Sequence, residues 1–371
     1  MKRFKNWKNG TAPLTKTSRK KRLRRRVWGI SLFVVVLLAG LITGGLMAGY
    51  QIWKDMYEPL PEESVPVDTS SVSQEQKNIT FVGGRPPELN LVSPAAVPAE
   101  YQEQYTNILL IISDGEEQAD LVLLTIDQVH EQIKLTSFLK ELWVKIPELE
   151  IDHQLDMAYA WGGPKLAAQT IEQNFGVGID RYIEIDFQKF PELIDQLGGV
   201  ELTLSEAEAD YINRHVDSPG KLDGAGTYNL SGQQALCHAQ NRTTQVHDFD
   251  SVDRMRDVIL ATFQRVQTTS DMVCLGKLAL DSTSMISTDI ELDELSKLLI
   301  GCLDYSRYDM FLYRLPDGED YEKTILLSDG EEKQVLFIQD MDQVRERLQS
   351  FVYGDFYQSG VSQTEDVLYN P

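Results

Sequence analysis

From Val27 to Trp53 the chain runs 27 residues without a charged side chain, through "VWGISLFVVVLLAGLITGGLMAGYQIW". A helix of that length crosses a hydrocarbon core of roughly 30 Å, and Trp28, Tyr50 and Trp53 stand where interfacial aromatics sit. A cleaved signal peptide has an apolar region of only about 7–15 residues, so the pattern predicts an uncleaved anchor over 27–53. The apolar pattern then lapses. Seven of the fourteen prolines fall between Pro59 and Pro98, among Ser, Glu and Gln. This composition predicts an extended stalk over 54–105.

From Thr106 the pattern changes to "NILLII", "DLVLLTID" and "QIKLTSFL", separated by "SDGEEQA" and "QVHE". Continuous rather than alternating hydrophobicity predicts strands covered on both faces. "GPKLAAQTIEQNF" carries Leu166, Ala167, Ile171 and Phe175 at helical spacing, opened near Pro164 and closed by Gly176. "DRYIEIDF" and "VELTL" read as strands around a helical "QKFPELIDQLGG". Helices over "SGQQALCHAQN", Asp250–Gln267 and "ELDELSKLLIGCL", a strand in "MFLYRLP" and a helix over "MDQVRERLQSFVY" complete an alternating order. The expectation is one α/β domain over 106–353, without internal repeats, followed by a polar tail over 354–371.

Charge sharpens this organisation. Residues 1–26 hold twelve Lys or Arg and no acid, which predicts a cytoplasmic basic tail, and the remainder holds 23 bases against all 57 acids. A body so acidic is not expected to bind nucleic acid. Cys237, Cys274 and Cys302 form no paired spacing, and the five histidines are scattered, so neither a disulfide framework nor a Cys/His metal site is expected.

Three places carry candidate chemistry. Asp114, Glu116, Glu117 and Asp120 cluster between two apolar runs. Carboxylates at strand ends hold a hard cation such as Mg²⁺ through one or two oxygens, with substrate phosphates completing the shell, although turns favour Asp on conformational grounds alone. In "SFLKELWVKIP", Lys140, Glu141 and Lys145 offer a cation for phosphate and a carboxylate base, or form a charged loop. In "HAQNRTTQVHDFDSVDRMRDV", Arg242 follows a predicted helix and Asp248 precedes another carrying Arg254 and Arg256. Arginine forks grip phosphate oxygens in pairs, but Asp250, Asp253 and Asp257 alternate with these arginines, as on a helix surface laced with ion pairs.

Taken in order, these stretches resemble the LytR-CpsA-Psr family of cell-wall glycopolymer transferases. "NILLIISD" is similar to the family's first strand and its aspartate, and "QADLVLLTID" to the strand that begins Arg-x-Asp-Thr. The stretch from Leu155 to Leu204 is the most similar. "YNLSGQQALCHAQNR", "DFDSVDRMRDVI" and "ISTDIELDELSKLL" with "MFLYRLP" follow in the family's order. The resemblance implies an α-β-α layered fold with a mixed central sheet, enclosing an apolar tunnel for a polyprenyl chain. It implies that arginines and aspartates with Mg²⁺ hold a pyrophosphate at the tunnel mouth. The implied protein spans the cell membrane of a Gram-positive bacterium once, with its N-terminus cytoplasmic and its body outside. Its implied reaction moves a glycopolymer, such as teichoic acid or capsule, from undecaprenyl pyrophosphate to a peptidoglycan hydroxyl. On this chain the implied metal ligands are Asp114 and Asp120, and the implied pyrophosphate ligands are Lys140, Arg242, Asp248 and Arg254. The implied catalytic set is Asp120, Glu141, Arg242 and Arg254, with Glu141 as base.

The resemblance has departures. Asp120 keeps the aspartate of Arg-x-Asp-Thr, but Gln118 and Leu121 replace its arginine and threonine. Where the family has Ile-Pro-Arg-Asp-Thr, this chain has "FLKEL", with Lys140, Glu141 and Leu142 in the last three places. Gln240 replaces the first arginine of Arg-x-Arg, and Arg242 keeps the second. In Asp-Phe-Gly-Arg-x-x-Arg-Gln, Asp248, Phe249 and Arg254 remain, while Asp250, Ser251 and Met255 replace the glycine, an arginine and the glutamine. Each lost charge-assisted phosphate contact removes about 1.5–3 kcal/mol of binding. Two readings therefore stand: a phosphotransferase with a re-tuned head-group site, and a non-catalytic relative that binds lipid-linked polymer or assists active paralogues.

Overall fold

The computed structural model describes residues 45–61, 79–82, 86, 88–95, 104–113, 119–218, 220–241, 254–255, 257–258, 261–262, 265, 285–295, 297–298, 308–317, 320–328 and 331–354. Asp114, Arg242 and Asp248 lie outside these residues, as do the basic tail, the expected anchor up to 44 and the tail from 355.

A six-stranded mixed sheet forms the centre, in the order β10 (Ile286–Thr288), β7 (Arg181–Asp186), β2 (Tyr105–Ser113), β3 (Ala119–Asp127), β4 (Gln132–Phe138), β11 (Asp309–Leu315). β2 pairs parallel to β7, β4 pairs parallel to β11, and β3 runs antiparallel between β2 and β4. Strands β2, β4, β7 and β11 therefore point the same way, and their carboxyl ends meet the start of β3 along one edge.

The continuous apolar runs are sealed on one face of the sheet and only half-buried at several positions on the other, short of the two-sided cover expected of them. On one face of the sheet Leu109, Ile111, Leu121 and Leu123 pack with helix α2 (Asp156–Phe175) and the C-terminal helix α6 (Met341–Tyr353). On the other, Ile112 packs with α3 (Phe190–Gln196), α4 (Glu206–His215), α5 (Gly232–Ala239) and the helical residues Met255, Val258 and Ala261. Ile108 meets Ile52 and Met56 of α1 (Gly45–Met56), together with Ile290 and Leu295. Burying a side chain such as Leu123, which is fully inaccessible, stabilises by about 1.5–3 kcal/mol. The three layers are the α-β-α arrangement that the apolar runs and the resemblance pointed to.

Helix α4 opens with a capping box between Ser205 and Glu208, and α5 with one between Ser231 and Gln234. Each satisfies orphan backbone donors at a helix start from a Ser-x-x-Glu/Gln spacing visible in the sequence.

Three expectations change. Helix α2 starts at Asp156, eight residues before Pro164, but Gly162 and Gly163 leave helical geometry (Gly163 φ 61°), so Pro164 restarts the helix. The segment 54–105, expected as an extended stalk, packs on the domain in its described parts. Tyr57 bridges Thr288, β1 (Thr80–Val82) pairs with β12 (Tyr321–Ser328), Leu89 is buried, and the Val92 and Ala95 amides donate to Gln173 O and Gly176 O. Its scattered apolar side chains find partners that composition does not reveal. The third change is the hairpin of β12 with β13 (Glu331–Ile338), for which no element is expected above. Its signal is present: an Asp-Gly pair between "TILL" and "QVLFI".

Candidate active site

The carboxyl edge of the sheet gathers most of the described candidates. β2 ends at Ser113, paired with Asp186 of β7 and with Ala119 of β3. Asp120, the second residue of β3, is half-buried and opposite Ile112, and the next residue, Leu121, pairs with Phe138 at the end of β4. Lys140 and Glu141 follow that strand end within three residues, and both are half-buried. The chain direction thus brings Asp120, Lys140 and Glu141 to one rim, the place where open α/β sheets bind ligands.

A band of half-buried apolar side chains leads away from this rim. Register places Ile183, Leu110, Val122, Leu124, Leu135 and Leu312 on the sheet face shared with Asp120. The opposite face, by contrast, is sealed at Leu109, Ile111, Leu121 and Leu123.

The loop after β4 is held from two sides. Leu336 N of β13 donates to Glu141 O at 2.9 Å, and Leu155 N donates to Leu142 O at 2.8 Å. These bonds bring the first residue of α2 against the loop, with Asp156 N donating to Lys140 O at 3.4 Å. The sequence reading missed Asp156. Burial, with a push from Glu141, raises its carboxyl to about 6 against the pull of Lys140 and Lys333. Its Oδ1 is enclosed and accepts no hydrogen bond among the described residues. No local pattern marks this residue, because its surroundings come from β4, β13 and α2 together.

Lys145 stands apart from that loop. It belongs to β5 (Trp143–Ile146), opposite Asp152 of β6 (Ile151–Gln154), and its backbone amide donates to Asn174 Oδ1 at 3.0 Å.

Arg254 is 5% exposed, and its Nε donates to Glu208 Oε1 at 2.8 Å while its Nη1 donates to Asn241 O at 2.6 Å. Burial pushes the Glu208 carboxyl up, but hydrogen bonds from Arg254 and Ser205 hold it below its ordinary value. His238 packs nearby, and burial drops its imidazole to about 4. The expected phosphate grip at 254 therefore already serves as a brace between α4 and the end of α5.

For a cation, Asp120 offers hard carboxylate oxygens at a rim where a phosphate can add more, which fits Mg²⁺. Among the described residues no three His, Cys, Asp or Glu side chains converge as a metal site.

The LytR_cpsA_psr family model matches residues 67–347. The chain belongs to that family. Among curated LytR_cpsA_psr relatives, a protein of Oceanobacillus iheyensis named polyisoprenyl-teichoic acid–peptidoglycan teichoic acid transferase TagU is 27% identical over 304 residues, covering 77% of this chain and 84% of its own. One of Bacillus subtilis named as the corresponding transferase TagV is 23% identical over 182 residues, 47% of this chain and 45% of its own. Among solved structures, the family protein YwtF (TagT) with bound octaprenyl pyrophosphate lipid superimposes with a TM-score of 0.51 at 19% identity, covering 71% of this chain and 97% of that one, a likeness of fold.

Proposed function

We propose that this chain transfers a glycopolymer of the teichoic acid class from a polyprenyl pyrophosphate to peptidoglycan, at the outer face of the membrane that anchors it. The observation that carries this reading is the half-buried apolar band ending at Asp120 and the 140–141 loop. An isoprenoid chain needs an apolar, partly open face, and its pyrophosphate needs cations and metal-binding carboxylates at the end of that face. The names of the transferase relatives and the lipid held by the fold relative point to the same substrate.

In this reading Lys140, Arg242 and Asp248 position the pyrophosphate, with Arg254 as a brace at the same arm. Asp114 and Asp120 would hold Mg²⁺ with phosphate oxygens; when bound, the ion neutralises charge that develops on the phosphoryl group. A carboxylate at the rim takes the proton of the acceptor hydroxyl. The basic residues 1–26 stay cytoplasmic and the acidic body lies outside. Docking of α1, whose Trp53 Nε1 donates to Ile290 O at 3.0 Å, holds the body close to the membrane.

The test is transfer by the full chain in proteoliposomes containing a prenyl-pyrophosphate-linked glycan, with Mg²⁺ and peptidoglycan supplied. Polymer on the peptidoglycan, lost when the metal is chelated, is the expected result. No transfer beside a working family member sinks the enzyme reading. The second reading, a lipid-linked polymer binder without turnover, is favoured by Gln118, Gln240 and Ser251 in place of arginines and by the commitment of Arg254 to Glu208. It fails in turn if prenyl pyrophosphate does not bind.

A further inference from the structure

We propose that Asp156, rather than Glu141, is the residue that accepts the proton of the attacking hydroxyl, an inference that rests on the transferase reading above. Four observations converge on it. Asp156 is the first residue of α2, tied by its amide to Lys140 O, which sets it against the loop at the sheet rim. Its Oδ1 is enclosed and accepts no hydrogen bond among the described residues, a buried acceptor that the fold leaves unpaired. The charges that face it are mixed: Lys140 and Glu141 from the loop after β4, and Lys333 from β13. His153, three residues upstream on β6, is buried and held neutral, so it does not compete as a cation.

These surroundings suit a proton acceptor. A carboxyl raised to about 6 is largely ionised at neutral pH yet basic enough to take a proton in the transition state. Glu141 contributes by its charge, which pushes Asp156 upward, while the Lys140 charge on the same loop pulls the other way. In the step, the acceptor hydroxyl oxygen bonds to the polymer-bearing phosphorus. The bond from that phosphorus to the bridging oxygen breaks, prenyl phosphate leaves with the electron pair, and the hydroxyl proton passes to Asp156. Asp156 then returns the proton to the departing phosphate or to water, which closes the cycle without another reactant.

The experiment compares wild type, Asp156→Asn and Glu141→Gln as full chains in proteoliposomes, following kcat and KM from pH 5 to 9. Asp156→Asn is expected to lower kcat by about 100-fold or more while KM stays within about threefold, since proton transfer and not ground-state binding is lost. It should also abolish the acid limb near pH 6. Glu141→Gln should move that limb to lower pH, because the charge that raises Asp156 is gone, an effect a merely structural residue would not show. Circular dichroism and binding of prenyl pyrophosphate verify that each variant is folded. A folded Asp156→Asn protein with kcat within about threefold of wild type, or with its acid limb intact, overturns the proposal and leaves the transferase reading standing. A wild type that binds the lipid but transfers nothing overturns both.

Discussion

Glu208 serves two partners at once: its Oε1 accepts from Arg254 Nε at 2.8 Å, and its Oε2 accepts from the Ser205 amide at 2.9 Å. One carboxylate thus caps α4 and neutralises a guanidinium that is 5% exposed. Removing it leaves a buried charge without its counter-ion, and Glu208→Gln is expected to cost about 3 kcal/mol or more in urea unfolding at pH 7. The pH dependence follows from the lowered Glu208 value. Because the folded protein holds this carboxylate ionised below the unfolded value of 4.5, the stabilisation is full above about pH 4.5 and is lost as pH falls further. Unfolding midpoints measured from pH 5 down to 3 should show that loss in wild type and a smaller one in Glu208→Gln.

At the opposite edge of the sheet, Lys134 Nζ donates to Asp127 Oδ2 at 2.7 Å and to Val352 O at 2.9 Å. Asp127 is fully buried and Lys134 nearly so, and the pair fastens the last turn of α6 to β3 and β4. Lys134→Met is expected to destabilise by about 3 kcal/mol, because buried Asp127 loses its ammonium counter-ion and keeps its bonds with the His130 amide and ring. Adding Asp127→Asn should recover part of that loss. Equal losses in the single and double variants, measured by denaturant titration, would mean the two side chains are not coupled.

His153 is 1% exposed, lies between Trp143 and Trp161 at ring distances of 5.6 and 5.0 Å, and has neither ring nitrogen hydrogen-bonded among the described residues. Burial drops its value to about 4 against 6.5 in the unfolded chain. Between those values the unfolded chain binds the extra proton, so stability falls as pH drops through that window. His153→Leu removes both the unsatisfied polar atoms and this linkage. The variant should gain about 1 kcal/mol at pH 7.5 and more at pH 5, read from thermal or urea unfolding. A gain that is the same at both pH values would contradict the burial of a neutral imidazole.

Gly232 opens α5 directly against α3. A Cβ placed there would lie 2.1 Å from the carbonyl oxygen of Pro191, and the Gly232 amide donates to Asp195 Oδ1 at 2.8 Å. Backbone cannot yield as a flexible side chain does, so Gly232→Ala is expected to cost about 1–3 kcal/mol. A melting temperature equal to wild type would show that α3 and α5 move apart freely.

Much of the fold is legible in the chain. Continuous β-rich runs such as "NILLII" mark strands of a covered sheet by their length and composition, and Gly-ended, Pro-opened segments such as "QKFPELIDQLGG" stop and start helices for local steric reasons. The candidate site was legible in part: motif order led to Asp120, Lys140 and Glu141, and the rim holds all three. Asp156 left no mark, because one aspartate before "MAYAW" is ordinary until β13 and the loop after β4 close around it.

The chain alone therefore determined what depends on neighbours in sequence: the strand and helix segments, the uncharged 27-residue run, the basic tail and the family motifs with their missing arginines. Tertiary structure decided what depends on partners distant in sequence. It committed Arg254 to Glu208 across 46 residues, drew the described parts of the proline-rich segment onto the domain, and left the Asp156 Oδ1 enclosed beside the loop of Lys140. The physical reason is that burial and charge are properties of a place in space, set by desolvation and by which side chains converge there, and a residue's own neighbours do not carry them.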